Sequence, residues 1–247
     1  MNIILATSRG RGLGPLIQRN LPNTKVVVRP GQKYAALANE ARQIISSMKE
    51  DPSDIHIYFL AGYTDLTSMV KKGSYKEVIF TESPQVATNR VMGEVENAAD
   101  LVLATGAKVC FATIIPGNIE TWNRTRLQQK RTITLRHTHK YATWQENLNE
   151  AVIAINKAIV ETNIKNNMQT PRTHQPLISI RKKGKYRFHF NRLAKDGIHT
   201  TQKAKEEIVK ELSKAILKNL DGKTQNSTRE ISSDSEPESP KRAWKTY

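Results

Sequence analysis

The chain has 247 residues, with 39 Lys and Arg against 23 Asp and Glu, a net charge of +16, and 38% hydrophobic residues. That length suits one domain with a sizeable core, and no apolar run approaches the ~18 residues of a membrane span. A single cysteine, Cys110, rules out an internal disulfide and any multi-cysteine metal site.

The chain opens directly on an apolar, β-compatible segment, Asn2–Ala6, without the charged, apolar and small-residue regions of a secretory signal. An intracellular protein, cytoplasmic or nuclear, is therefore expected. A short helix is expected from Leu13 to Asn20 and a second strand over Thr24–Arg29, where Val26, Val27 and Val28 are β-branched. From Lys33 to Lys49, Tyr34, Leu37, Ala41, Ile44 and Met48 recur at helical spacing. Asp54–Leu60 reads as a third strand, and Ser68–Phe80 as a surface insertion holding a short strand or hairpin. A helix over Thr88 to Thr105 ends at Gly106. Ala107–Ile114 is a fourth strand that stops at Pro116-Gly117, and it carries Cys110 as a buried, inert residue. His139 to Lys165 presents Tyr141, Trp144, Leu148, Val152, Ile155 and Ile159 as one amphipathic stripe, which reads as core packing. The last helix, Thr201 to Leu220, packs Ala204, Ile208, Leu212, Ala215 and Ile216.

Continuous apolar strands joined by helices indicate an α/β fold, a three-layer α/β/α sandwich around a mostly parallel sheet. This domain spans residues 1–220. Residues 221–247 are polar and rich in Ser, Glu and Pro, and cannot bury enough surface to fold, so a disordered tail is expected.

The charge is unevenly distributed. Residues 121–195 hold 16 Lys and Arg against three Glu, which is +13 of the total. The densest pieces are Arg124 to Arg136 and the run of Arg181, Lys182, Lys183, Lys185 and Arg187, the latter with Tyr186 and Phe188 interleaved. Such a segment attracts nucleic acid or another polyanion, although alternation of this kind also suits an ordinary edge strand.

In parallel sheets ligands sit beyond the carboxyl ends of the strands. Ser8, Gly31, Gly62 and Pro116 each follow a strand, which places them on one rim. Ser8 at a strand-to-helix junction suits either a nucleophile or a helix N-cap. Asp196 and His199, three residues apart before the last helix, let a carboxylate hold one ring nitrogen and leave the other for a serine. His137, His139, His174 and His189 lack metal-ligand spacing, so no metal and no cofactor is proposed. Gly10, Gly12 and Gly14 resemble a dinucleotide loop, but Pro15 stands where a third fingerprint glycine is required, and Arg29 rather than an acid ends the second strand.

These segments resemble the SGNH (GDSL-type) hydrolase superfamily over roughly residues 1–220. The family's Gly-Asp-Ser segment is matched by Ala6-Thr7-Ser8, its lone glycine by Gly31, its Gly-x-Asn-Asp motif by Gly62-Tyr63-Thr64-Asp65, and its Asp-x-x-His motif by Asp196 to His199. The style of the chain also resembles esterase-like proteins encoded by invertebrate mobile elements. The resemblance implies Ser8 as nucleophile, His199 as base and Asp196 as orienting group. It further implies an oxyanion hole from the Ser8 and Gly31 N–H groups plus Thr64, with Gly62 and Asp65 supporting the loop. Thr7 and Thr64 replace the family's Asp and Asn. Two readings follow: a serine esterase acting on a small ester such as an acetyl ester, or a catalytically weak or inactive module that binds nucleic acid through its basic surface. Acyl substrate and oligomeric state are not encoded in these motifs.

Overall fold

The computed structural model describes residues 1–73, 75–128, 135–181 and 185–221. Four parallel strands form the central sheet: β1 (Asn2–Ala6), β2 (Thr24–Val28), β3 (His56–Leu60) and β6 (Lys108–Phe111), in the order β2-β1-β3-β6. β1 pairs residue for residue with both neighbours, Leu5 standing between Val27 and Phe59. Strand pleating sends successive side chains to opposite faces, and both faces are covered. Ile3, Leu5, Ile57, Phe59, Val109 and Phe111 face one apolar cluster; Ile4, Ala6, Tyr58, Leu60 and Cys110 face the other.

The first face is covered by α2 (Tyr34–Ser46), α4 (Pro84–Leu103) and α6 (Leu135–Lys165), and the second by α1 (Gly14–Asn20) and α7 (Gln202–Leu220). The expected three-layer α/β/α sandwich is therefore present. The Tyr141-to-Ile159 stripe of α6 is core, with Trp144 packed at its margin. Cys110 is fully buried and burial raises its thiol pKa, in keeping with an inert role.

Several elements differ from the sequence expectation. The fourth helix begins at Pro84, four residues earlier than the periodicity suggests, because Ser83 caps it by accepting from the Val86 amide and Pro84 suits the first turn. Pro52–Asp54 forms a separate 3-10 turn ahead of β3. Ser68–Phe80 does hold the expected hairpin, two antiparallel strands β4 (Ser68–Lys72) and β5 (Tyr75–Ile79), and the one-turn helix α3 (Tyr63–Leu66) that precedes it is the addition. A helix not expected from the sequence, α5 (Ile119–Gln128), packs on β5, and Asn123 pairs with both the N–H and the carbonyl of Val78. A small hairpin, β7 (Ile178–Ile180) and β8 (Tyr186–Phe188), precedes the turn that leads into α7. Beyond Asp221 the polar tail lies outside the described residues.

The exposed edge of β6 is closed by side-chain amides of α6 instead of a fifth strand. Asn163 pairs with the N–H and carbonyl of Phe111, and Asn156 does the same for Ile114. Gln145 accepts from the Ile119 amide and donates to the Gly117 carbonyl. This row fixes the path of the loop after β6, which reaches the rim where the motif residues gather.

Candidate active site

The turn carrying Ser8 is built by close packing. Residues Ser8–Gly10 form one 3-10 turn directly after β1, with the Gly10 amide bonded to Thr7 and the Arg11 amide to Ser8. A Cβ on Gly10 would lie 2.4 Å from that of Ala6, so only glycine lets the chain fold back this tightly. The glycines read as a weak dinucleotide signal serve this turn and the entry to α1. The Ser8 hydroxyl belongs to a half-buried residue, and the Ser8 and Gly31 N–H groups make no hydrogen bond among the described residues. Thr7, in the position before the nucleophile candidate, makes no side-chain capping bond.

Asp196 and His199 come together within a closed loop. Leu193 bridges Thr200, the Ala194 amide bonds to the His199 carbonyl at 2.7 Å, and Gly197 turns with φ +74°. One Asp196 oxygen accepts from the amides of Ile198 and His199 at 2.9 and 3.0 Å, and the other meets His199 Nδ1 at 2.6 Å. Burial works against the Asp196 carboxylate, but these hydrogen bonds from His199 and Ile198 together hold it below the usual carboxylate range. His199 is thus oriented through Nδ1, leaving Nε2 as its second nitrogen.

A third loop, after β6, joins the two. The Asn118 amide donates to Gly197 O at 2.7 Å, and a Cβ on Gly197 would strike Asn118 O at 2.6 Å. Arg9 is 5% exposed; its Nη1 donates to the carbonyls of Ile115 and Pro116, and its guanidinium lies 3.9 Å from the centroid of the Tyr63 ring. Burial pushes the Arg9 pKa down to about 10, while Tyr63 and the Asp196 carboxylate favour its charge. Arg9 and Asn118 were not legible in the sequence, and Tyr63 and Gly117 appeared there only within the Gly62-to-Asp65 and Pro116-Gly117 segments; the local signal for Arg9 was an arginine three residues after an apolar strand.

The loop after β3 also reaches this rim. Gly62 adopts φ +98°, and a Cβ there would lie 2.5 Å from Ile114 Cδ1. Asp65 Oδ1 accepts from the Tyr34 amide at 3.1 Å. Its other oxygen is buried without a partner, and desolvation raises its pKa to about 6. Thr64 departs from the expectation. Its hydroxyl donates to the Gln32 carbonyl at 2.6 Å, so its one proton ties the Gly31 loop in place and is not directed at an oxyanion. Gly31 itself has φ +78° and open space at its Cβ position.

The basic run is only partly described. Arg181, Lys185 and Arg187 are exposed on and around the β7–β8 hairpin, while Lys182 and Lys183 lie outside the described residues. No group of three or more His, Cys, Asp or Glu suited to a metal occurs among the described residues, and none of their helices is long and apolar enough to cross a membrane.

No family model matches the chain, and no curated protein matches it in sequence. Solved structures do match its fold. A GDSL-like lipase from Bacteroides thetaiotaomicron is 12% identical with a TM-score of 0.53, over 89% of this chain and 87% of that one. A carbohydrate esterase family 3 protein from Talaromyces cellulolyticus is 12% identical with a TM-score of 0.54, over 90% of this chain and 98% of that one. The chain has the SGNH (GDSL-type) hydrolase fold. On this SGNH scaffold the loops after β1, β2, β3 and β6 and the turn before α7 meet at one end of the sheet. The Asp-x-x-His pair is intact there, and the departures fall at Thr7 and Thr64.

Proposed function

We propose that the protein is an SGNH-type serine hydrolase that cleaves a small carboxylic ester, an acetyl ester being the simplest case. The observation that carries this reading is the Asp196–His199 pair, closed at 2.6 Å and tied through Asn118 to the loop that Arg9 grips beside Ser8. Ser8 Oγ attacks the ester carbonyl while its proton passes to His199 Nε2, and Asp196 stabilises the imidazolium. The Ser8 and Gly31 N–H groups stabilise the oxyanion. Collapse of the tetrahedral adduct expels the alcohol, which takes the proton from His199, and leaves an acyl group on Ser8. Water, deprotonated by the same histidine, then releases the carboxylic acid and restores Ser8.

A fluorophosphonate probe tests the reading. Ser8 becomes covalently labelled in the wild type, labelling is lost in Ser8→Ala and His199→Ala, and both variants fail to hydrolyse an aryl acetate. Hydrolysis by the wild type at the rate of Ser8→Ala would remove Ser8 from the reaction.

A second reading, polyanion binding, is supported by the exposed cations Arg181, Lys185 and Arg187 around Tyr186. It requires nucleic-acid affinity that falls steeply with salt and a log–log slope that flattens by roughly 0.7–0.9 per phosphate contact removed. An unchanged slope after neutralising these residues would leave them as a solvated face.

A further inference from the structure

Arg9 is the buried cation nearest in sequence to the nucleophile candidate, and an apolar residue would fill its place at less desolvation cost. What it does there follows from its contacts. The Thr7 side chain makes no capping hydrogen bond to the Ser8 turn. Arg9 ties the turn across the sheet, its Nη1 gripping the carbonyls of Ile115 and Pro116, 106 and 107 residues away. From Pro116 the backbone runs through Gly117 to Asn118, whose amide holds the Gly197 carbonyl at 2.7 Å, inside the Asp196–His199 turn. Gly117 is required on this path, since a Cβ would lie 2.5 Å from Arg9 Nη2 and 2.6 Å from the Tyr63 hydroxyl. Gln145 fixes the Gly117 carbonyl from below at 3.1 Å. The guanidinium also attracts the Asp196 carboxylate and lies over Tyr63, beside the Thr64 loop.

Resting on the hydrolase reading, we propose that Arg9 is a positioning residue: through Pro116 and Asn118 it holds the Ser8 turn and the Asp196–His199 turn in register. The tether stands in for the capping bond that Thr7 does not make. A lysine keeps the charge and an N–H donor for these carbonyls but loses the planar group that lies over Tyr63, so Arg9→Lys retains part of the function and Arg9→Met none.

The test uses the full chain with Arg9→Met and Arg9→Lys, each first checked for a cooperative thermal transition. Amide hydrogen exchange reads the tether without reference to chemistry: in Arg9→Met exchange at Asn118, Ile198 and His199 rises at least about tenfold, while amides of β1 and β3 stay protected. Fluorophosphonate labelling of Ser8 and kcat for an aryl acetate fall about 100-fold, as expected for a misplacement near 1 Å, with KM little changed. Arg9→Lys lies between the two. Gly117→Ala, which displaces the guanidinium without removing it, gives the same pattern and serves if Arg9→Met does not fold. A folded Arg9→Met with wild-type exchange at those three amides overturns the tether. Raised exchange with wild-type labelling overturns its role in catalysis. A wild type that is not labelled at Ser8 overturns the hydrolase reading, and the exchange data still decide the tether.

Discussion

Asp196 makes three bonds at once, two of them to His199: one carboxylate oxygen meets the ring Nδ1 at 2.6 Å, and the other accepts from the backbone amides of His199 and its neighbour Ile198. Ring and backbone are therefore fixed by the same side chain, and the histidine cannot turn without breaking the loop that presents it.

Asp196→Asn retains an oxygen for the two amides but offers the ring no carboxylate. In the proposed mechanism kcat falls by roughly 10²- to 10⁴-fold, because the imidazolium loses its stabilising charge and its tautomer is no longer enforced. The thermal midpoint moves little, since the amide bonds of the turn survive. Steady-state kinetics with an aryl acetate check this, and a rate within threefold of wild type would show that the pair serves structure alone.

Thr64 separates two roles for one hydroxyl. Because its proton is given to Gln32 at 2.6 Å, Thr64→Val is expected to cost about 1 kcal/mol of stability and less than about tenfold in kcat. A residue supplying a main oxyanion donor would cost roughly 10²–10³ in kcat. Thr64→Asn leaves turnover unchanged or raises it. Denaturant melts and kinetics on the same two variants distinguish the roles.

Gly31 and Gly62 both have positive φ, but their surroundings differ. At Gly31 nothing lies within 4 Å of the place an added methyl would take, so Gly31→Ala carries backbone strain only, on the order of 1 kcal/mol. At Gly62 the same methyl would meet Ile114 at 2.5 and 2.7 Å and the Tyr34 hydroxyl at 2.9 Å, so strain and overpacking add to roughly 2–4 kcal/mol. Equal losses in urea melts would contradict this packing.

Asp65 gives stability a pH signature. Its folded pKa of about 6 lies above the ordinary 3.8, chiefly through desolvation, so the folded state binds the proton more tightly than the unfolded state. Its favourable contribution is complete below pH 4 and is lost as pH rises through 6, an effect of at most ~3 kcal/mol. Asp65→Asn keeps the acceptor for the Tyr34 amide and cannot ionise. The stability of Asp65→Asn relative to wild type therefore increases from pH 4 to pH 7, and a difference independent of pH would show that the carboxylate is not desolvated.

How much of this could be read from the chain depended on the separation of the interacting groups. Strand and helix periodicity marked β1, β2, β3, β6 and the long α6, and a parallel sheet then required the loops after them to share a rim. Asp196 and His199 were legible because they meet across three residues of one turn. Helix α5 was hidden because its polar, basic sequence lacks a continuous apolar stripe; its place is fixed by packing on β5 and the bonds between Asn123 and Val78. The partner of Thr64 lies 32 residues away, and those of Arg9 lie 106 and 107 residues away. Sequence alone determined which loops face the rim and which local pair forms there. Only the folded sheet decided which side chains bind the loops together, because burying a guanidinium or fixing a hydroxyl depends on carbonyls brought close by tertiary contacts.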